Sequence, residues 1–149
     1  MTYTEQVGEK LNVILEKTFD AEKGFNKAAE NIENKALKNY FKAKSQERNI
    51  FGHELKEEIK SFNQEIDKGG SVAGAAHRAW MDIKTLFSLD DEESMLEEAI
   101  RGEKTAVKEY EDVINETQLP SSTKSLLVSQ KNKIENGLYS IKTLEDISY

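Results

Sequence analysis

Cysteine is absent from this chain, which excludes disulfides, thiolate catalysis and Cys-ligated zinc. Proline occurs once and glycine eight times, leaving little material for the turns of a sheet protein. A basic excess is also missing. Lys and Arg number 21 against 28 Asp and Glu, for a net charge of −7 and a pI near 5.0. That balance argues against nucleic acid and against an anionic membrane surface as partners, since both need a cationic face. No apolar run approaches the ~18 residues of a membrane span, and Met1–Glu5 has neither a basic nor an apolar leader character. The expectation is a soluble cytoplasmic protein with one domain over residues 1–149. There is no Gly-rich phosphate loop and no recognisable Ser/His/Asp arrangement. The acidic run Asp90-Asp91-Glu92-Glu93 lacks the glycine and spacing of a calcium loop and suits a helix N-terminus instead.

What the chain does have is charged residues, 33 % of the total, set between apolar residues at helical spacing. Thr2 followed by Glu5 can cap a first helix over about residues 3–32. Asn34 can cap a second, expected over 35–66, with Leu37, Tyr40, Phe41, Phe51, Leu55, Ile59 and Phe62 inward. Gly69-Gly70 would end it, and Ser71 would open a short helix over about 72–88 carrying Val72, Ala76, Trp80, Ile83 and Phe87 on one face. Asp90 with Glu93 then opens a third long helix, from about 91 to 117. Pro120 and Ser121 turn the chain into a fourth over 122–146, with Leu127, Ile134, Leu138, Ile141 and Leu144 inward. Helices of 25 to 30 residues are ~37 to 45 Å long. Two short turns and one long connection predict an all-α fold. The connectivity is that of a ferritin-like antiparallel four-helix bundle, with a short extra helix in the crossover between the second and third helices.

Two glutamates interrupt the apolar stripes. Glu103 falls near the centre of Leu96, Ile100, Val107, Tyr110 and Ile114; Glu22 falls within Val7, Leu11, Ile14, Thr18, Phe25, Ala29 and Ile32. A carboxylate in a helix–helix core is costly unless a cation, an arginine or a metal answers it, or unless it stays protonated. The two positions also repeat. Glu22-Lys23, Lys27 and Glu30 recur as Glu103-Lys104, Lys108 and Glu111, and Ser45-Gln46 with Ile50 recurs as Ser129-Gln130 with Ile134. One helical hairpin thus resembles the other.

A ferritin-like di-metal site draws one Glu from each of two helices and a Glu-x-x-His from each of the other two. Glu22 and Glu103 supply the first half, and Glu47 lies within reach of the second helix's stripe. Three residues after Glu47, however, stands Ile50, and the inward polar group of the fourth helix is Gln130. A metal reading therefore rests on Glu22, Glu47 and Glu103, with iron, manganese or zinc as the candidate ions. The competing reading places Arg48, flanking the stripe opposite Glu47, and Lys44, near its centre, as counter-charges to the inward carboxylates. His53 reads as a surface residue. His77 and Trp80 in the crossover helix read as packing onto one bundle edge, with a subunit interface as the alternative for Trp80.

Three stretches carry a family likeness: Asp20-Ala21-Glu22-Lys23-Gly24-Phe25 with Ala28-Ala29, then Gly70-Ser71 leading to Ala76-His77-Arg78-Ala79-Trp80, then Arg101-Gly102-Glu103 with Tyr110. Together they resemble a bacterial family of ferritin-like four-helix-bundle proteins catalogued as a domain of unknown function. The resemblance spans nearly the whole chain and is strongest over residues 4–115. It implies a fold rather than an activity. The wider superfamily binds iron or manganese and serves storage, oxidation or stress protection, and it suggests a homodimer. It also implies a histidine late in the fourth helix, where this chain has Leu138. With Ile50 and Leu138 in place of imidazoles, the expectation is a non-catalytic structural or stress-associated binding protein with a degenerate di-metal site and no resident cofactor. The alternative is a protein that binds metal through its carboxylates.

Overall fold

The computed structural model describes residues 2–66, 92–116 and 118–142, which contain four α-helices and no strand. These are α1 (Tyr3–Glu30), α2 (Lys35–Ser61), α3 (Glu92–Glu116) and α4 (Ser121–Ser140). Each start has a local cause. Thr2 accepts a hydrogen bond from the Glu5 backbone N–H at 3.2 Å, and Asn34 accepts one from Leu37 at 3.0 Å. The second Asn34 function is tertiary: its amide donates to Glu92 at 3.0 Å, tying the α1–α2 turn to the first residue of α3. At α4 the cap residue is Pro120, which makes no side-chain cap bond. A carboxylate from α2 does that work instead. Glu58 accepts from Ser122 at 2.9 Å and from buried Thr123 at 2.6 Å, placing negative charge at the positive end of the helix dipole.

α2 stops five residues earlier than its sequence pattern suggests. Phe62 is its C-cap, and Asn63 follows at φ 57°, in the left-handed region that asparagine tolerates better than most residues. The Asn63 N–H then donates to Lys60 O at 2.9 Å and the Gln64 N–H to Ile59 O at 3.4 Å, satisfying the last carbonyls. Termination is therefore built at Asn63, not at Gly69-Gly70. α4 likewise closes at Ser140 and not at 146. The expected helix over 72–88, with His77 and Trp80, lies outside the described residues, as does Leu144.

α2 folds back along α1. Asn12 near one end donates to Glu65 O at 2.9 Å, and Ser45 donates to Glu22 O at 3.1 Å. α4 folds back along α3 in the same way, with Tyr110 bonded to Gln130. The inner faces meet in one apolar core that includes Leu11, Ile14, Phe25, Phe41, Phe51, Leu55, Leu96 and Ile134. At about 25 cal/mol per Å² of apolar surface removed from water, this shared burial is the dominant attraction between the pairs. No described helix is long and apolar enough to cross a membrane.

Candidate functional site

The middle of the core is ionic. Arg48 on α2 has no exposed surface, and its Nη2 donates to Oε1 of Glu103 on α3, itself only 3 % exposed. The same guanidinium donates through Nη1 to Glu47 Oε1 at 2.8 Å. Lys44, one turn earlier, holds its ammonium 3.5 Å from Glu103 Oε2 and 3.7 Å from Glu47 Oε1. Two cations thus face two carboxylates, and the cluster is neutral as a whole. Aromatic rings complete the cage. The guanidinium carbon stands 5.7 Å from the ring centroids of both Phe25 and Phe51, a cation–π geometry available from α1 and α2 together. Lys44 lies 5.9 Å over the Tyr40 ring. Its ammonium also reaches α4, where a Cβ placed on Gly137 would stand 2.6 Å from Nζ. With glycine at that position the ammonium keeps its place.

Relative to its sequence pattern, α2 is rotated about its axis. Arg48 occupies the centre of the buried face and not its flank, while Glu47 sits at the margin with a quarter of its side chain exposed. Glu22 departs from the expected core carboxylate. It is half-buried in a surface groove with Ser45, Gln46, Asn49 and Ile50, and accepts from Asn49 at 3.1 Å. The internal repeat is not structural in its second half: Ile50 is 55 % exposed, whereas Ile134 is wholly buried. His53 is exposed, and His77 and Trp80 lie outside the described residues.

The core has two further polar features, of which the buried Lys17 escapes sequence reasoning. Lys17 on α1 is buried and ion-paired with Glu109 on α3; its long stem carries the charge to the rim of the core. Buried Tyr110 donates to Gln130 Oε1 at 2.6 Å, and the Gln130 amide donates onward to Phe51 O at 3.3 Å and Glu54 Oε1 at 3.1 Å. Burial pushes the phenols of both Tyr110 and Tyr40 well above their ordinary range, and the nearby Glu103 carboxylate adds to the shift.

The donor set does not fit a di-metal centre. Glu103 and Glu47 direct carboxylate oxygens at Arg48 and Lys44, and Glu22 engages Asn49. Three residues after Glu47, where a Glu-x-x-His pair would have its imidazole, stands the exposed Ile50. Among the described residues no group of three or more His, Asp or Glu is placed to hold a metal ion.

A family model described as "Domain of unknown function (DUF2383)" matches residues 6–116. That stretch contains all but the first three residues of α1 and the whole of α2 and α3, and with them every member of the ionic cluster. No curated protein matches the chain.

Proposed function

The chain belongs to the DUF2383 family, and from its neutralised core we propose a non-catalytic structural or stress-associated binding protein, built as a ferritin-like antiparallel four-helix bundle with a degenerate di-metal site. The observation that carries this reading is Arg48, a wholly buried guanidinium bonded to both Glu103 and Glu47. A fixed side-chain cation occupies the place at which bundle carboxylates would otherwise converge on a metal. It bonds one oxygen of each through charge-assisted hydrogen bonds, while Lys44, the second cation, stands 3.5 Å from the other Glu103 oxygen, which makes no hydrogen bond. The stress-associated part of the reading rests on superfamily resemblance alone. The ferritin-like connectivity is supported by the back-folded α1–α2 and α3–α4 pairs and the long stretch joining them.

The test is the metal content of protein purified without chelator, measured alongside the stability of Arg48→Ala. The expected result is no stoichiometric metal and a strongly destabilised variant. Stoichiometric iron, manganese or zinc that disappears in Glu103→Ala would overturn the reading in favour of a carboxylate metal site.

A further inference from the structure

We propose that the seam between the α1–α2 hairpin and the α3–α4 hairpin is an acid-sensitive switch: protonation of its glutamates parts the two hairpins as units, each keeping its helices. The switch stands on the contacts across the seam, whatever the bundle binds. Most of the polar contacts described there end on carboxylates. Glu103 of α3 meets Arg48 and Lys44 of α2, and Glu109 of α3 meets Lys17 of α1. Glu92, at the start of α3, accepts from Asn34 at 3.0 Å. In the other direction α2 lends Glu54 to Gln130 of α4 and Glu58 to Ser122 and Thr123. Carboxylates thus hold the seam from one end of the bundle to the other. Gln130 with Phe51 O, Thr18 with Tyr110, and Lys133 over the Phe51 ring cross it without one.

Within each hairpin the helices are joined by contacts that owe less to charge. Asn12 donates to Glu65 O and Ser45 to Glu22 O, both backbone carbonyls, and Tyr110 bonds neutral Gln130. α1 and α2 also approach closely: a Cβ on Gly52 would stand 3.4 Å from the Phe19 ring. The Asn49–Glu22 bond is the exception. Acid therefore acts unequally. Protonation of Glu103, Glu47 and Glu109 takes away the negative charge that faces Arg48, Lys44 and Lys17, while those three stay cationic. The phenols of Tyr40 and Tyr110 near Glu103 are neutral in acid and supply no counter-charge. Arg48 and Lys17 are buried, so a closed seam would enclose cations stripped of both water and carboxylate, the arrangement that most strongly opposes apolar attraction. Parting the hairpins returns them to water. Protonated Glu58 likewise stops placing negative charge at the α4 N-terminus. Stabilisation by these carboxylates is present at neutral pH and lost as pH falls. Helical hairpins are natural units of such partial opening.

The absence of cysteine allows spin labels to be placed in chosen pairs on the whole chain. His53→Cys with Ser129→Cys spans the seam from α2 to α4. Lys10→Cys with His53→Cys reports within the first hairpin, and Lys108→Cys with Ser129→Cys within the second; all four positions are exposed. Lowering the pH from neutrality to about 4, into the range where carboxylates titrate, should lengthen the distance across the seam. The two distances within the hairpins and the helical circular dichroism should hold. Glu109→Gln, at the half-buried margin of the seam, should move the opening to higher pH. Lys17→Met combined with Glu109→Leu removes an acid-sensitive pair and should move it to lower pH. A seam distance that stays constant overturns the proposal. So does a lengthening of all three distances with loss of helix, which is ordinary acid unfolding, and so does an opening whose midpoint ignores both variants.

Discussion

Arg48 and Glu103 meet inside the bundle, guanidinium to carboxylate, with 0 % and 4 % of their side chains exposed. Neither charge has water to fall back on, so each is tolerable only because opposite charges face it, Glu103 and Glu47 about Arg48, and Arg48 and Lys44 about Glu103. Their separation in sequence, 55 residues, makes the pair a bond between α2 and α3 rather than a local decoration. Because Glu47 shares the same guanidinium, the rotation of α2 about its axis is fixed by a planar fork with two acceptors.

Removing Arg48 alone should therefore cost far more than removing the whole pair. Arg48→Ala strands the Glu103 carboxylate in the core and should lower unfolding free energy by about 3–5 kcal/mol. Arg48→Met combined with Glu103→Leu removes both charges and refills the space. That double variant should match the parent or exceed it by about 1–4 kcal/mol. Urea denaturation of the parent, the single variant and the double variant measures both quantities. A single variant as mild as the double would mean that the charges are solvated after all.

The Tyr110–Gln130 bond makes a similar but smaller claim. Gln130→Leu takes away the acceptor of a buried phenol together with the donor to Phe51 O and Glu54. The expected cost is about 1–3 kcal/mol, the penalty for a buried polar group left unanswered. Adding Tyr110→Phe should recover part of the loss, since no hydroxyl then needs an acceptor. Strict additivity of the two changes in chemical denaturation would contradict the coupling.

Much of this was legible in the sequence, and the exceptions have physical causes. α1 and α3 show their inner faces plainly, because apolar residues recur every third or fourth position and only Glu22 and Glu103 break the rhythm. α2 does not. Between Phe41 and Phe51 its candidates for the inner face are Lys44, Glu47 and Arg48, each about one turn or less from the next, and the apolar residues there, Ala43 and Ile50, are exposed. What settles it is tertiary: Glu103 on α3 and the rings of Phe25 and Phe51. Gln130 reads as inward from its place on the α4 stripe. Lys17 does not, because a lysine beside Thr18 looks like the solvent edge until Glu109 is placed against it. Asn63 hides the end of α2 for a different reason: two glycines further on are the stronger stop signal by composition.

Alkaline titration should reveal the buried phenol of Tyr110 and the partly buried one of Tyr40. Free tyrosine in the unfolded chain ionises near 10.0, and burial raises Tyr40 and Tyr110 well above that in the fold. A folded value above the unfolded one means full stability below pH 10 and a loss as pH rises beyond it, up to about 1.4 kcal/mol per pH unit for each group. Of the five tyrosines, these two should yield phenolate absorbance only as helical circular dichroism is lost. Tyr110→Phe should make the alkaline decline less steep. Phenolate signal from all five while the helices remain intact would refute the burial argument.

Gly137 sets the last test, because two effects of one methyl group oppose each other there. Alanine is the better helix former by about 1 kcal/mol, so Gly137→Ala should stabilise α4 if nothing else changed. The new Cβ, however, would stand 2.6 Å from Lys44 Nζ. The ammonium is the flexible end of a long side chain and can withdraw, but withdrawal gives up its 3.5 Å approach to Glu103. Glu103 would then depend on Arg48 alone. The gain in helix propensity should accordingly be cancelled or reversed in the parent protein. In a Lys44→Ala background the same methyl meets no ammonium, and the full stabilisation of about 1 kcal/mol should appear. Thermal unfolding of the four proteins decides the matter: an identical Gly137→Ala effect with and without Lys44 would show that the lysine does not enter the core beside Gly137.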